Sequence, residues 1–360
     1  MNSFRLKNGN STNKKFSDRV GFDRRTRSDL WSGISRGRQT QGCHRPAIFS
    51  GRFAAALLLL LSVVCSSLFA NIEITLKNDF IEQFKDKATI SVSFVVDKAH
   101  RQPNPPQKDA DLHAAGRADE VGLPMVAEIM NAASQKSAVD AIHNVEGTGN
   151  PVPLTGVWRI WCEHGGDDKQ VQGEPLQPFD TTNPPHVFQI HPITRFNSTS
   201  ILGSLHPIDK KFKTKDAETA FKNYESLNSH ITLNRDTTTI LTTMAGYNYV
   251  EFVLAPLQNQ HPASFPDGTG VLATVYDLND HLLVHKRRMV FVKDSPEENA
   301  LKSLKPGEGM HVLGVPRISL KLLSFRTTHH SENEQMLDWS LPYEIVIVGF
   351  YGKVSASDLQ

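Results

Sequence analysis

A single apolar run, Phe53-Ala-Ala-Ala-Leu-Leu-Leu-Leu-Leu-Ser-Val-Val-Cys-Ser-Ser-Leu-Phe-Ala70, divides this chain into two parts of different character. Its core, Ala54–Val64, has the composition of a signal-peptide h-region, with Arg52 on its N-terminal side. Ser67-Leu-Phe-Ala70 supplies a small-residue cleavage site. At about 18 residues the run also reaches the lower edge of what spans a bilayer as a helix. Two outcomes are therefore expected. One is a cleaved signal peptide. The other is an uncleaved anchor through residues 53–70 that leaves residues 1–52 as a cytoplasmic tail. A leader as long as residues 1–52 exceeds an ordinary n-region, so either the working start lies downstream of Met1 or the run is an anchor. Both outcomes put residues 71–360 outside the cytoplasm, periplasmic or extracellular after cleavage or held at the inner membrane, because the positive charge lies before the run. With no second run of this kind, a polytopic membrane protein is excluded.

Charge is distributed in the same two parts. Residues 1–70 carry 12 Lys+Arg against 3 Asp+Glu, a balance of +9. The whole chain is +1, which leaves −8 for residues 71–360. Residues 1–52 hold few aliphatic side chains among their Arg, Ser, Gly and Asn, too little apolar surface to offset chain entropy, and are expected to be a disordered basic leader. A body at −8 repels a polyanion, so no nucleic-acid partner is expected. The local cluster Lys210-Lys-Phe-Lys-Thr-Lys215 reads as a solvated linker or a helix start. Cys43 and Cys65 lie in the leader, so Cys162 alone remains in the body, where it cannot form an intrachain disulfide and reads as a buried structural thiol.

Beyond the leader the pattern is one of short alternating segments. Ile72–Leu76 and Thr89–Val96 alternate apolar and polar residues as half-buried strands do, with a short helix from Asn78 to Lys87 between them. Pro103-Asn-Pro-Pro106 marks a loop. Strand patterns follow at Asp109–His113, Gly122–Met130, Leu154–Trp161 and His186–Ile193. A short helix is expected at Ser134–His143 and a long loop at Gly165–Pro185. Such a series suits a small OB-like β-barrel over residues 71–197. Polar, lysine-rich residues 198–215 suggest a boundary. A second β-rich, sandwich-like unit is expected over 198–360, with a helix at Asp216–Leu227 and strands at Thr237–Thr243, Tyr247–Leu254, Val271–Asp277, Leu282–Val292, Ile318–Phe325 and Tyr343–Tyr351. Asn279-Asp280 signals a hairpin, and Ser295-Pro296-Glu-Glu298 a capped helix start. The fold class is thus mostly β with few helices. No internal repeat aligns the two halves.

Three pieces of the first unit, Asp109-Ala-Asp-Leu-His113, Met125-Val-Ala-Glu-Ile129, and Leu154-Thr-Gly-Val-Trp158 with His186-Val-Phe-Gln-Ile-His-Pro192, occur in that order. Over residues 108–193 the chain resembles small exported bacterial OB-fold-like proteins with a D-x-D-x-H, M-I-A-E, V-T-G-V and E-x-H-P series, whose function is not assigned. The resemblance implies a barrel and an exported location, and supplies no reaction. Gln189 stands where that series has Glu.

Candidate site residues follow from strand geometry. Asp109, Asp111 and His113 alternate, so a strand would point all three to one face. With Glu128 and His191 on neighbouring strands, these five residues form a carboxylate and imidazole set suited to a divalent metal such as Zn²⁺ or Mn²⁺. The bland alternative is the solvated side of a half-buried strand. Trp158 and Trp161, three apart, face opposite sides of a strand, one in the core and the other free to stack on a ligand ring. No nucleophile elbow, P-loop or dinucleotide-binding glycine motif is present. The leading expectation is an exported, non-catalytic binding or envelope-associated protein without a cofactor, its partner a carbohydrate, an envelope component or a protein. The alternative is a metal-dependent hydrolase using Asp109, Asp111, His113, Glu128 and His191.

Overall fold

The computed structural model describes residues 71–165, 169–329, 336–355 and 357. The apolar run at 53–70 and the basic leader lie outside the described residues. Among the described residues no helix is long and apolar enough to cross a membrane.

The chain opens with β1 (Asn71–Lys77) and helix α1 (Asn78–Phe84). A first barrel follows. It is built from β2 (Thr89–Ala99), β3 (Leu112–Arg117), β4 (Met125–Ile129), β5 (Pro151–His164) and, after the short β6 (Lys169–Val171), β7 (His186–Phe196). Strand β2 pairs antiparallel with both β3 and β5, β3 with β4, and β5 with β7. A parallel β4–β7 pairing closes the ring. Helix α2 (Lys136–Val145) connects β4 to β5. Five strands closed in this order, with a helix between the third and fourth, make an OB-like barrel, the architecture expected for this stretch. Inside lie Val92, Phe94, Val96, Leu112, Ala114, Met125, Ala127, Phe188 and Ile190. The Gly of Leu154-Thr-Gly-Val157 has a steric reason. A Cβ at Gly156 would stand 2.4 Å from Ile190 Cγ2 and 2.6 Å from the Pro192 carbonyl, so β5 and β7 cross only over a glycine.

After β8 (Thr199–Ser200), helix α3 (Ala217–Ser226), β9 (Asn228–Leu233) and β10 (Thr237–Thr243), the same winding recurs. The second set is β11 (Val250–Pro256), β13 (Gly268–Tyr276), β14 (Leu282–Val292), β15 (Gly309–Ile318) and β17 (Tyr343–Val354). The short β12 (Ala263–Phe265) precedes β13, and helix α4 (Pro296–Lys302) lies between β14 and β15. Strand β11 pairs with β13 and β15, β13 with β14, and β15 with β17, all antiparallel. A parallel β14–β17 pairing closes it. The mostly β architecture is therefore as read from the sequence, and the unit expected to be sandwich-like closes into a second barrel of the first one's strand order.

Three local readings need correction. Ile318–Phe325 was expected to be a strand, but helix α5 covers Leu320–Thr328. Ser319 caps it by accepting from the Leu322 amide at 3.3 Å. The alternating Ile-Ser-Leu-Lys-Leu text hides the helical spacing of the buried Leu320, Leu323 and Ser324. The strand in this region is β15, just before it. Asp109–Asp111 is a loop rather than strand, with Ala110 in the left-handed region at φ 62. The polar strand β9 carries no strong apolar signal and was not anticipated.

A third sheet joins the parts, in the order β16 (Met336–Ser340), β9, β10, β1, β6. Strand β1 pairs with β10 over seven positions, from Asn71 with Thr243 to Lys77 with Thr237. Each barrel contributes one edge strand from the loop between its fourth and fifth strands: β6 from the first and β16 from the second. The outer faces of the two barrels meet across an apolar seam that includes Ala88, Val157, Leu205, Tyr249, Val290, Leu313, Val315 and Val346.

Candidate functional site

Two polar places rise from this architecture, one in the seam and one on the second barrel.

In the first barrel the apolar alternation turns one set of side chains inward and leaves His113, Glu128, Gln189 and His191 on the outer face. His113 stands directly opposite Glu128 across β3 and β4. Gln189 and His191 are two apart on β7, whose neighbour β4 pairs in parallel register from Met125 with Phe188. Asp111 enters from the loop before β3, which is shaped by Asp109. The Asp109 carboxylate accepts from the Asp111 amide at 3.1 Å and from Asn104 Nδ2 at 2.9 Å. The second barrel covers this face, so Asp111, Glu128 and His191 are at most 1% exposed.

The contacts are specific. The Tyr249 hydroxyl, which enters just before β11, donates to Asp111 Oδ2 at 2.7 Å and lies 2.6 Å from His191 Nε2. His191 Nε2 is 3.3 Å from Asp111 Oδ2, and its Nδ1 is 3.7 Å from Glu128 Oε2. His113 Nε2 is 3.4 Å from the same Glu128 oxygen. Gln189 Nε2 donates to Glu128 Oε1 at 2.6 Å, and Arg159 donates to Gln189 Oε1. One ligand-type atom from each of Asp111, Glu128 and His191 falls within 4.8 Å of the other two. Burial holds the Asp111 carboxyl well above the usual carboxylate range, with Asp109 adding to it against the Tyr249 hydrogen bond. Burial holds His191 below the usual imidazole range despite Glu128 nearby.

Of the five residues chosen from the sequence, the structure brings Asp111, Glu128 and His191 together and sets His113 against Glu128. Asp109 is in the adjoining turn, not in the cluster. Trp158 and Trp161, one of which was expected to offer its ring to a ligand, are both buried. The Arg317 guanidinium lies 3.5 Å from the centre of the Trp158 ring, and Trp161 packs edge-on against Tyr224. Cys162 is buried as expected, and burial pushes its thiol up to about 12, far from a nucleophile's range.

Sequence reasoning missed the rest of the seam. Arg159 and Arg317, on the fourth strands of the two barrels, exchange hydrogen bonds. Arg159 Nε donates to the Pro316 carbonyl at 2.8 Å, and Arg317 Nη1 to the Trp158 carbonyl at 3.0 Å. Each arginine thus reaches the carbonyl of the residue before the other, a reciprocal exchange across the seam. Each also meets a side chain on its own barrel's fifth strand, Gln189 for Arg159 and Glu344 for Arg317, the latter at 2.8 Å. Burial drives the Glu344 carboxyl up, but Arg317 and Arg288 outweigh it and leave the group below its ordinary value. The one sequence signal was Gln189 at a position where the resembling series has Glu.

The second place is a cleft of about 440 Å³ on the second barrel. Its floor is β13 and β14 (Gly270, Leu272, Lys286, Arg288). One wall is the β11–β13 loop (Gln260, His261) and the other is α5 (Lys321, Leu322, Phe325). Phe325 is 56% exposed and stacks on His329 with centroids 4.3 Å apart. Arg288 is held by Glu344, Arg287 by Glu225, and Lys321 by Asp86. Arg287 Nε remains without a partner.

Fold and sites together define a two-barrel OB-like protein with a buried polar seam and a lined cleft on the second barrel. No protein-family model and no curated protein matches the sequence. Among solved structures, one described as "Structural mimicry for functional antagonism" is similar at 9% identity, covering 74% of this chain and 98% of its own, with a TM-score of 0.16. The Ifi202 HINa domain in complex with 20bp dsDNA is similar at 9% identity, covering 72% of this chain and 99% of its own, with a TM-score of 0.15. Likeness at these scores carries no argument about function.

Proposed function

We propose that the chain is an exported, non-catalytic binding protein whose second barrel holds an acidic oligosaccharide. The observation that carries the reading is the cleft across β13 and β14, between the loop after the barrel's first strand and the one after its fourth. This is the face on which OB barrels bind oligonucleotides and oligosaccharides, and here it bears an exposed phenyl ring. Sugar rings stack on such a ring. The cleft arginines, already fixed by carboxylates, present oriented N–H donors to hydroxyl and carboxylate groups. An oligonucleotide is disfavoured on charge. The body carries −8, and of the four cations lining the cleft Arg287, Arg288 and Lys321 are matched by acids, which leaves Lys286 to meet a single carboxylate of a sugar and too little to neutralise a run of phosphates.

The hydrolase alternative finds less support. Its acids and imidazole are shut between the barrels, whereas a catalytic metal keeps a position open to substrate. Export remains part of the proposal on the strength of the apolar run at 53–70. Mass spectrometry of the native N-terminus tests it, since cleavage predicts a start near residue 71 and an anchor predicts an intact 53–70 segment.

Calorimetry of the full chain tests the binding reading, with trigalacturonate as the acidic probe, maltotriose as the neutral one and oligo-dT as the polyanion. The expected result is saturable binding of trigalacturonate, about tenfold weaker or worse in Phe325→Ala and in Lys286→Ala, the loss of one stacked ring or one ion contact being worth roughly 1–2 kcal/mol. Absence of trigalacturonate binding, or a preference for oligo-dT, overturns it.

A further inference from the structure

Three contacts in the seam cluster call for more hydrogens than its groups carry. The Tyr249 hydroxyl oxygen lies 2.7 Å from Asp111 Oδ2 and 2.6 Å from His191 Nε2. Both are hydrogen-bond distances, so each contact needs a hydrogen of its own. His191 Nδ1 faces Glu128 Oε2 at 3.7 Å, and both atoms are buried without a hydrogen-bond partner. This third contact is attractive only if Nδ1 carries a hydrogen, since a bare lone pair against a carboxylate oxygen is repulsive. With both acids ionised and the imidazole neutral, Tyr249 and His191 supply one hydrogen each, one short of the need. An added proton satisfies all the contacts, in either of two forms. In one, Tyr249 donates to Asp111 and His191 is protonated on both nitrogens. In the other, Asp111 donates to Tyr249, Tyr249 donates to His191 Nε2, and Nδ1–H faces Glu128. Both forms hold the same number of protons, so the cluster titrates as a unit. Burial, which holds the Asp111 carboxyl well above the usual range, keeps the proton in the cluster.

We propose that this proton is a latch between the barrels: shared by Asp111, Tyr249, His191 and Glu128, it fastens the second barrel to the first, and its loss loosens the seam. Tyr249, just before β11, comes from the second barrel and the other three from the first. Without the proton one contact turns repulsive where water does not reach, since Asp111, Glu128 and His191 are at most 1% exposed. The surrounding charges are these. Asp109, in the turn before β3, adds to burial in favouring a protonated Asp111, and His113 on β3 opposes it. Arg159 on β5 and His113 add to burial in disfavouring charge on His191, against Glu128. Gln189, itself gripped by Arg159, holds the far oxygen of Glu128. His113 Nε2 stands 3.4 Å from the near one, and its side chain, 15% exposed, links the cluster to solvent. The sign follows from counting protons. Above pH 6.5, the ordinary imidazole value, an unfolded chain does not hold the extra proton and the folded chain does. Stability is therefore lost as pH rises from 6.5 toward the value at which the cluster itself deprotonates. Just below 6.5 the unfolded imidazole holds a proton too, and the cluster contributes no slope. The latch is independent of the cleft on the second barrel.

The test compares the full chain with Asp111→Asn and Glu128→Gln. Each variant replaces an acid by an amide that brings its own hydrogens, so the contacts are satisfied without the added proton. In urea titrations upward from pH 6.5, the unfolding constant of the natural chain should rise about tenfold per pH unit relative to either variant, until the cluster deprotonates. Glu297 titrates alike in all three proteins and cancels. Unfolding in weakly buffered solution near about pH 7.5 should release about one proton more from the natural chain than from the variants, a readout that destabilisation alone does not move. Should neither amide variant fold, Glu297→Gln, which leaves the cluster intact, should still release about one proton there. Loosening of the seam is read by amide exchange along β11 (Val250–Pro256), where protection should fall with rising pH in the natural chain more than in a folded amide variant. Parallel pH profiles above 6.5, the absence of an extra released proton, or a stability loss that leaves β11 exchange unchanged each overturn the proposal.

Discussion

Glu297 is a buried carboxylate in the first turn of α4, with neither oxygen hydrogen-bonded. Burial raises its pKa from the ordinary 4.5 to about 7. A carboxyl whose folded pKa exceeds its unfolded one binds more protons in the folded state, so stability is lost as pH climbs through the window from 4.5 to 7. Between pH 5 and pH 8 this group should remove about 2–3 kcal/mol from the natural chain and nothing from Glu297→Gln, which urea denaturation at the two pH values will measure. Equal pH dependence in the two proteins would refute the assignment. The seam gives a second residue-scale prediction. Arg317→Ala leaves the fully buried Glu344 with Arg288 as its remaining cation and should cost about 3–5 kcal/mol. The paired change Arg317→Met with Glu344→Leu should recover much of that loss. A paired variant less stable than Arg317→Ala would show that the ion pair itself, and not the stranded charge, carries the effect.

Steric and capping rules decide at the level of elements. Gly156→Ala pushes a methyl into Ile190 and the Pro192 carbonyl and should destabilise by about 1–3 kcal/mol or more. Ser295→Ala removes the hydroxyl that accepts from the Glu298 amide at 3.1 Å and should cost about 1 kcal/mol. Thermal melts of the two variants check both values. The caps were legible in the sequence: Ser295-Pro296 and Asp216 begin their helices, and Asn279-Asp280 turns the β13–β14 hairpin, where Asp280 takes φ 66. Short-range chemistry fixes such features, so they can be read locally. The strand β9 and the helix α5 could not, because Asn228–Leu233 is made a strand by pairing with β10 and β16, and Leu320–Thr328 carries an alternation that tertiary burial overrides. The candidate cluster was half legible. Strand alternation and register put His113, Glu128 and His191 on one face, whereas Asp109 was misplaced by a turn that alternation cannot foresee. Tyr249, 58 residues beyond His191, joins only through the docking of the second barrel.

At the scale of the molecule, the two barrels share a winding but few residues, which is why no internal repeat shows in the sequence. What recurs is sparse: Arg159 and Arg317 on the fourth strands, and Gln189 and Glu344 on the fifth. In text these look like ordinary surface charges, and their burial follows from one barrel covering the other. With an apolar seam, exchanged arginine bonds and a sheet that draws strands from both halves, residues 71–360 should unfold in one cooperative transition, monitored together by tryptophan fluorescence and far-ultraviolet circular dichroism. Two separated transitions would contradict a locked seam. The binding claim is tested most directly by hydrogen exchange of the full chain with and without trigalacturonate. The account predicts added protection in segments 260–272, 286–288 and 319–325, which line the cleft. Protection confined to other segments, or none at saturating probe, would contradict it.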